Sequence, residues 1–313
     1  MNRTNRLIVL IAVIVVGLFF SSYFSPDRSG ENIPEQPQRK FRKAFQQVTP
    51  PPMPDELWFA GEAVPIHNYD VRESLDRELI VNSYFHSQTI RFFKLAPRYF
   101  SVIEPILEKY NIPDDFKYLA IAESGFNPRA VSPAGAIGLW QIMQGTARDY
   151  GLEVSQEIDE RYHVEKSTEA ACKYLLESYE RYGNWTTVAA SYNVGRAGID
   201  RQRNIQNEDH YYNLLLNEET ARYVFRILAI KTIMENPLSY GFNISESDLY
   251  PVIPYRIVEV NGPVENFADF ASEHNINYKI LKDFNPWLRQ PNLLNPNRKT
   301  YEIRIPEGDY RSY

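Results

Sequence analysis

Asn111 to Gly151 reads NIPDDFKYLAIAESGFNPRAVSPAGAIGLWQIMQGTARDYG, a short helical segment followed by a loop rich in glycine. Pro113 suits the first helical position, where its missing N–H belongs to a group the helix leaves unpaired anyway. Asp114 and Asp115 favour the positive end of the helix dipole. On the helix predicted to follow, Phe116, Leu119, Ala120 and Glu123 fall at i, i+3, i+4 and i+7, which is one face. A glutamate on an apolar stripe is unusual, because an unpaired buried carboxylate is costly and responds by keeping its proton to higher pH. A carboxylic acid held protonated near neutrality is what general-acid cleavage of a glycosidic bond requires. Spacing alone equally allows a helix-end carboxylate paired with an arginine such as Arg129, since structural ion pairs also perturb carboxylates.

The loop after Glu123 is punctuated by Gly125, Gly135, Gly138, Gly145 and Gly151, with Pro128 and Pro133 between them. Such a backbone turns repeatedly and can approach a ligand closely. Polar Ser132 and Gln141 stand among apolar Ile137, Leu139, Trp140, Ile142 and Met143, the composition of a small-ligand cleft wall.

Working outward, apolar residues recur at helical spacing from about Val71 to Glu235. Leu75, Leu79, Tyr84 and Phe85 begin one stripe, and Phe92, Leu95, Tyr99, Val102, Ile103 and Ile106 continue it. Ala170, Ala171, Tyr174, Leu175 and Tyr179 predict another helix closed by Gly183. Thr186 and Thr187 precede the apolar segment Val188 to Tyr192. Tyr223, Val224, Ile227, Leu228 and Ile230 predict a late helix ending before Pro237. This region reads as a mainly α domain, 57–245. Beyond it, Tyr255 to Val260 and Tyr301 to Ile305 alternate like strands, while Phe267 to His274 and Tyr278 to Phe284 suit two short helices. The tail, 250–313, is therefore a small α+β module.

At the other end, Arg3 and Arg6 precede an apolar run from Leu7 that continues past Ser21 and Ser22 to Phe24. Its length, about 18 residues, is the lower limit for spanning a bilayer. No pair of small residues separated by one occurs between Gly17 and Ser29, so an uncleaved membrane anchor over 1–25 is expected, with a cleaved signal as the alternative. The positive charge on its N-terminal side puts the rest of the chain outside the cytoplasm. Residues 26–56 carry Pro26, Pro34, Pro37, Pro50, Pro51, Pro52 and Pro54 and read as an extended tether.

Composition excludes several classes of function. A net charge of −6 argues against a nucleic-acid partner, which needs a basic surface. A lone cysteine, Cys172, excludes an intramolecular disulfide framework and a zinc site of several thiolates. His67, His86, His163, His210 and His274 are scattered without ligand spacing, so no metal is expected, and no phosphate loop or Gly-x-Ser-x-Gly turn occurs. No cofactor is expected. The 22 Tyr, 17 Phe and 4 Trp suit a cleft that stacks sugars, or equally a densely aromatic core.

The ordered motifs carry a resemblance. Glu123-Ser124, Asn127-Pro128, Ser132, Gly138-Leu139-Trp140-Gln141-Ile142-Met143, Thr146-Ala147 and Gly151 resemble the signature of family 1 lytic transglycosylases. Ser191-Tyr192-Asn193-Val194-Gly195 is similar to that family's second motif, and Glu219-Thr220 with Tyr223 to its third. Trp140 after Gly-Leu, with the tail, resembles the membrane-bound lytic murein transglycosylase D type. The resemblance implies a lysozyme-like α domain that cuts the MurNAc–GlcNAc bond of peptidoglycan glycan strands in the periplasm, tethered to the inner membrane. It implies Glu123 as the single catalytic acid and base. Tyr192 would lie beside Glu123 and Asn193 near the sugar. Ser132 and Gln141 would position the N-acetyl end, Met143 would pack the cleft wall, and Tyr223 would face the site. Gln144 stands where the family usually has Pro, and Ser191 where Ala precedes Tyr-Asn. The tail resembles a degenerate LysM module through Tyr301 to Pro306 and Lys282 to Pro286, with Asn261-Gly262-Pro263-Val264 replacing the usual Gly-Asp-Thr-Leu turn. That replacement leaves glycan binding and a purely structural cap both open. Two rival functions remain: a lysozyme-type muramidase on the same fold, and a non-catalytic wall-binding scaffold.

Overall fold

Between Tyr69 and Tyr84 (α1) and between His86 and Lys109 (α2), apolar side chains at three and four spacing bury Leu75, Leu79, Phe92, Ile103 and Leu107. The computed structural model describes residues 49–312. The expected anchor over 1–25 and most of the tether lie outside the described residues. Among the described residues, no helix is long and apolar enough to cross a membrane. Tyr84 and Phe85, expected on the first stripe, sit instead at the bend between α1 and α2 and are 39% and 54% exposed. The chain leaves helical geometry at Phe85 (φ −84°, ψ 58°), so the stripe turns away from the core there.

The remaining helices are Lys117–Ser124 (α3), Gln144–Asp149 (α4), Val164–Tyr182 (α5), Trp185–Val194 (α6), Arg196–Gln206 (α7) and Glu218–Glu235 (α8). Gly183, in the left-handed region at φ +67°, closes α5 as its position in the sequence predicts. The Asn184 side chain accepts from the Thr187 N–H to start α6, and Asn217 accepts from the Thr220 N–H to start α8. α8 is apolar around most of its circumference, and accordingly it is the central helix, packed by α1, α3 and α6. Before α1, Trp58–Phe59 (β1) and Glu62–Ala63 (β2) form a two-residue antiparallel ladder.

The tail follows its predicted order. Tyr255–Val260 (β3) pairs antiparallel with Tyr301–Pro306 (β4), from Tyr255 opposite Pro306 to Val260 opposite Tyr301. Phe267–Glu273 (α9) and Tyr278–Phe284 (α10) lie between them in sequence, capped by Asn266 and Asn277. Asn285 is fully buried because its amide bridges α10 to β4: it donates to the Leu281 and Arg304 carbonyls (2.9 and 2.8 Å) and accepts from the Arg304 N–H (2.8 Å). The tail is no free appendage. Its core of Phe267, Ala271, Leu281, Trp287, Ile303 and Ile305 also contains Ile158 and Tyr162 from the helical part, and both belong to one unit, Pro50–Tyr313.

Candidate active site

α3 is short because Gly125 ends it. Gly125 takes φ +59°, and its N–H returns to the Ile121 carbonyl at 2.8 Å. Phe116, Leu119 and Ala120 are buried on the face that also carries Glu123, as the spacing predicts. Glu123 itself is half-buried at the end of that stripe. The surrounding protein strips water from its carboxyl and pushes its pKa up to about 7. A hydrogen bond from the Tyr223 hydroxyl and the charge of Arg226 oppose this rise, while Glu219 adds to it. Arg129 is not its partner: it pairs with Asp283 (2.9 Å) and donates to the Lys282 carbonyl (2.7 Å).

Two phenols flank the carboxyl. Tyr223, on α8, is buried and hydrogen-bonded to Glu123. Tyr192, on α6, faces Glu123 closely enough for their charges to interact and donates to the Trp140 carbonyl at 2.8 Å. Burial, reinforced by the Glu123 charge, raises both phenols well above their ordinary range, so both remain neutral donors. Asn193 is held one residue along, its side-chain oxygen accepting from the Thr220 hydroxyl at 2.8 Å. It lies within α6 and does not cap it; Gly195 follows the helix end.

Gln141, Met143, Tyr192 and Asn193 line one groove of about 260 Å³. Gln141 takes φ +48°, and its amide N–H₂ donates to the Gly138 and Ala130 carbonyls (2.8 and 3.3 Å), so the side chain is fixed by the loop that carries it. Met143, 45% exposed, forms an apolar part of the wall. Ser132 does not join this groove. Its hydroxyl accepts from the Ala136 N–H at 3.0 Å and stabilises a turn. Leu139 and Trp140 are core residues, not cleft wall. Both are buried, and the Trp140 indole N–H donates to Thr168 at 2.8 Å. The apolar run that suggested a wall alternates between core and groove because the loop twists at Gly138 and Gln141.

The groove has further lining residues to which sequence reasoning assigned no site role: Thr146 and Gly195, which stand in the motifs, Tyr174, which stands on a helical stripe, and Tyr150. Arg196 stacks over Tyr174 (4.5 Å to the ring centre) and bonds both the Tyr150 hydroxyl (2.5 Å) and Glu177 (2.6 Å). Tyr174 lies beside Ala170 and Ala171, and an aromatic next to two small residues on one helix face is the signal that marks it. A cavity of about 370 Å³ lies elsewhere, between Tyr99 and Tyr162 of the helical part and Tyr255 and Trp287 of the tail, and Glu123 does not line it. Among the described residues, no cluster of three or more His, Cys, Asp or Glu could hold a metal ion.

Comparison with known proteins gives matches along both parts of the chain. The family model of the transglycosylase SLT domain matches residues 101–215, and that of the soluble lytic transglycosylase C-terminal LysM-like domain matches residues 256–309. The membrane-bound lytic murein transglycosylase D of Escherichia coli (strain K12) is 32% identical over 247 residues, 76% of this chain and 53% of the relative. The membrane-bound lytic murein transglycosylase F of Klebsiella pneumoniae is 26% identical over 127 residues, 37% of this chain and 24% of that relative. Among solved structures, the 70 kDa soluble lytic transglycosylase of Escherichia coli aligns with a TM-score of 0.40 and 23% identity, covering 50% of this chain and 27% of that one. The chain spans about half the length of the transglycosylase D it matches.

Proposed function

This chain carries a transglycosylase SLT domain and a LysM-like domain of the soluble lytic transglycosylase kind, and from that premise we propose that it is a peptidoglycan lytic transglycosylase. The observation that carries the proposal is Glu123, a carboxyl held near pKa 7 between two neutral phenols, one of which, Tyr192, lines the groove. In this reading, Glu123 first gives its proton to the glycosidic oxygen as the C1–O bond of the muramic residue breaks. The resulting carboxylate then takes the proton of that sugar's C6 hydroxyl while O6 bonds to C1. Glu123 is regenerated, no water is consumed, and the product is a 1,6-anhydro ring. Ring closure within one bound sugar is an intramolecular step favoured by proximity. A retaining hydrolase ordinarily works with a second carboxylate as nucleophile. Glu123's immediate partners are instead Tyr223 and Tyr192, and the carboxylate that acts on it, Glu219, is exposed.

Tyr223 orients the Glu123 carboxyl, and Tyr192 and Asn193 meet the sugar from α6. Gln141 offers the N-acetyl group its amide oxygen, and Met143 packs the sugar face. Ser132 contributes by shaping the loop.

Muropeptides released from purified sacculi should end in 1,6-anhydroMurNAc and take up no ¹⁸O when digestion is run in labelled water. Labelled reducing MurNAc ends would make the protein a muramidase. No release by well-folded protein would leave the wall-binding scaffold.

We further propose that residues 1–25 anchor the chain in the inner membrane, with 26–56 as tether, 57–245 as catalytic domain and 250–313 as the LysM-like module in the periplasm. Support comes from the apolar run from Leu7 to Phe20, which continues past Ser21 and Ser22 to Phe24, and from the membrane-bound naming of the relatives. N-terminal sequencing of protein extracted from membranes should return the original start. A mature form beginning near Ser25, or recovery wholly in the soluble fraction, would refute the anchor.

A further inference from the structure

We propose that the C-terminal module braces the loop that carries Gln141 and Met143, so that Arg129, Asp283, Asp159 and Arg161 are positioning residues for the substrate groove. The proposal rests on reading that groove as the glycan site.

Residues 125–143 contain no helix and only isolated β-bridges, so their shape depends on what they lean on. They lean on the tail at both ends. At the start of the loop, Arg129 reaches α10, pairing with Asp283 at 2.9 Å and donating to the Lys282 carbonyl at 2.7 Å. Farther along, the support passes through a buried ion pair. The tail extends a backbone ladder to the helical part, Asp159 N–H to the Trp287 carbonyl (3.0 Å) and Arg289 N–H to the Glu157 carbonyl (2.7 Å). The Asp159 fixed by this ladder grips Arg161 with two hydrogen bonds, Nε to Oδ1 at 2.9 Å and Nη2 to Oδ2 at 2.7 Å. Arg161 in turn extends Nη1 to the Gly135 and Ile142 carbonyls of the loop (3.3 and 3.5 Å). Its own backbone carbonyl lies directly under Gly138, where an added Cβ would stand 2.0 Å from the oxygen. Ile137 completes the contact by packing on the tail core.

The tail segment that stands where a glycan-contact turn would be is also tied at its end to the rest of the module. Val264, beside Gly262 and Pro263, exchanges both backbone hydrogen bonds with Leu293 at 2.8 Å. A buried, doubly hydrogen-bonded pair such as Asp159–Arg161 resists change because removing either partner strands a charge. The module is therefore coupled to the loop through one rigid link and one exposed, adjustable one.

The exposed link gives the test, since Arg129 and Asp283 are 47% and 37% exposed and can be changed without opening the core. In Arg129→Gln and Asp283→Asn, the amides of Ser132, Gly138 and Ile142, which bond within the loop, should exchange with deuterium faster. KM for glycan strands should rise by up to about fivefold, the ceiling for an exposed ion pair, with kcat and Tm unchanged. The reversed pair, Arg129→Asp with Asp283→Arg, should restore both readouts. Arg161→Lys, which keeps the charge facing Asp159 but loses the planar fork, should raise KM further. Unchanged loop exchange in all three single variants would overturn the brace. So would a loss that the reversed pair fails to rescue, or a parallel fall in Tm and kcat. Hydrogen exchange needs no catalysis, so a protein without transglycosylase activity would defeat the functional reading and still leave the brace tested.

Discussion

Glu123→Gln should reduce turnover of sacculi by about two to four orders of magnitude, the range general acid catalysis supplies. Glutamine keeps the shape and can still accept a hydrogen bond from Tyr223, but it has no proton of suitable acidity to give. The carboxyl is poised because burial pushes its pKa up to about 7, against the pull of Tyr223 and Arg226. Activity of the native chain should therefore fall as pH rises through about 7, as the acid is lost. Tyr223→Phe removes a hydrogen bond that favours the carboxylate, so that limb should move to higher pH while activity persists in reduced form. The linkage to stability runs the opposite way to that of an ordinary salt-bridged carboxylate. A folded-state pKa above the unfolded value means that ionising Glu123 disfavours the fold, increasingly so from the ordinary glutamate range up to about pH 7. Glu123→Gln should thus be at least as stable as the native chain above neutrality, which separates loss of chemistry from loss of fold. Retention of more than about a tenth of native turnover would remove Glu123 from the role of general acid.

Gly138→Ala should have the largest effect on the fold. Gly138 takes φ +85°, and a Cβ there would meet the Arg161 carbonyl oxygen at 2.0 Å and its carbon at 2.9 Å. Arg161 cannot yield easily, because its guanidinium is locked to Asp159 inside the protein. The strain of a non-glycine residue at positive φ and the backbone clash together should destabilise by at least about 3 kcal/mol. At this chain length, that is a fall in Tm of roughly 6–12 °C. Gly135→Ala is the internal control: φ is again +85°, but nothing lies within 4 Å of the added carbon. It should cost only the conformational strain, about 1–2 kcal/mol. Equal losses at the two positions, read by thermal unfolding, would show that the close approach at Gly138 has no special weight.

The two glycines look alike as letters, and the contrast between them marks where reading a sequence stops. Local periodicity was sufficient for several of the long helices and for the tail, though not for the β1–β2 ladder, α4 or α7. The stripe through Tyr223, Ile227 and Ile230 became α8, Gly183 closed α5, and β3, α9, α10 and β4 appeared in the order their alternation and spacing predict. Each of these depends on neighbours three, four or two residues away, a distance at which chain geometry leaves little choice. Glu123 was legible for the same reason, as a carboxylate on an apolar helical face, and the ordered motifs brought Tyr192, Asn193 and Tyr223 with it.

Other features depended on contacts between distant parts of the chain. Leu139 and Trp140 went to the core and Met143 to the groove, although all three stand in one apolar run. Ser132 spent its hydroxyl on a turn. Arg129 passed over the nearby Glu123 for Asp283, more than a hundred residues away in sequence. The tail folded onto Ile158 and Tyr162 and shares its core with the helical part. In each case, the partner is chosen by closure of the whole fold. An irregular loop has no repeating spacing to dictate which way its side chains point, so only the packed neighbours decide which of them face the core and which face the groove.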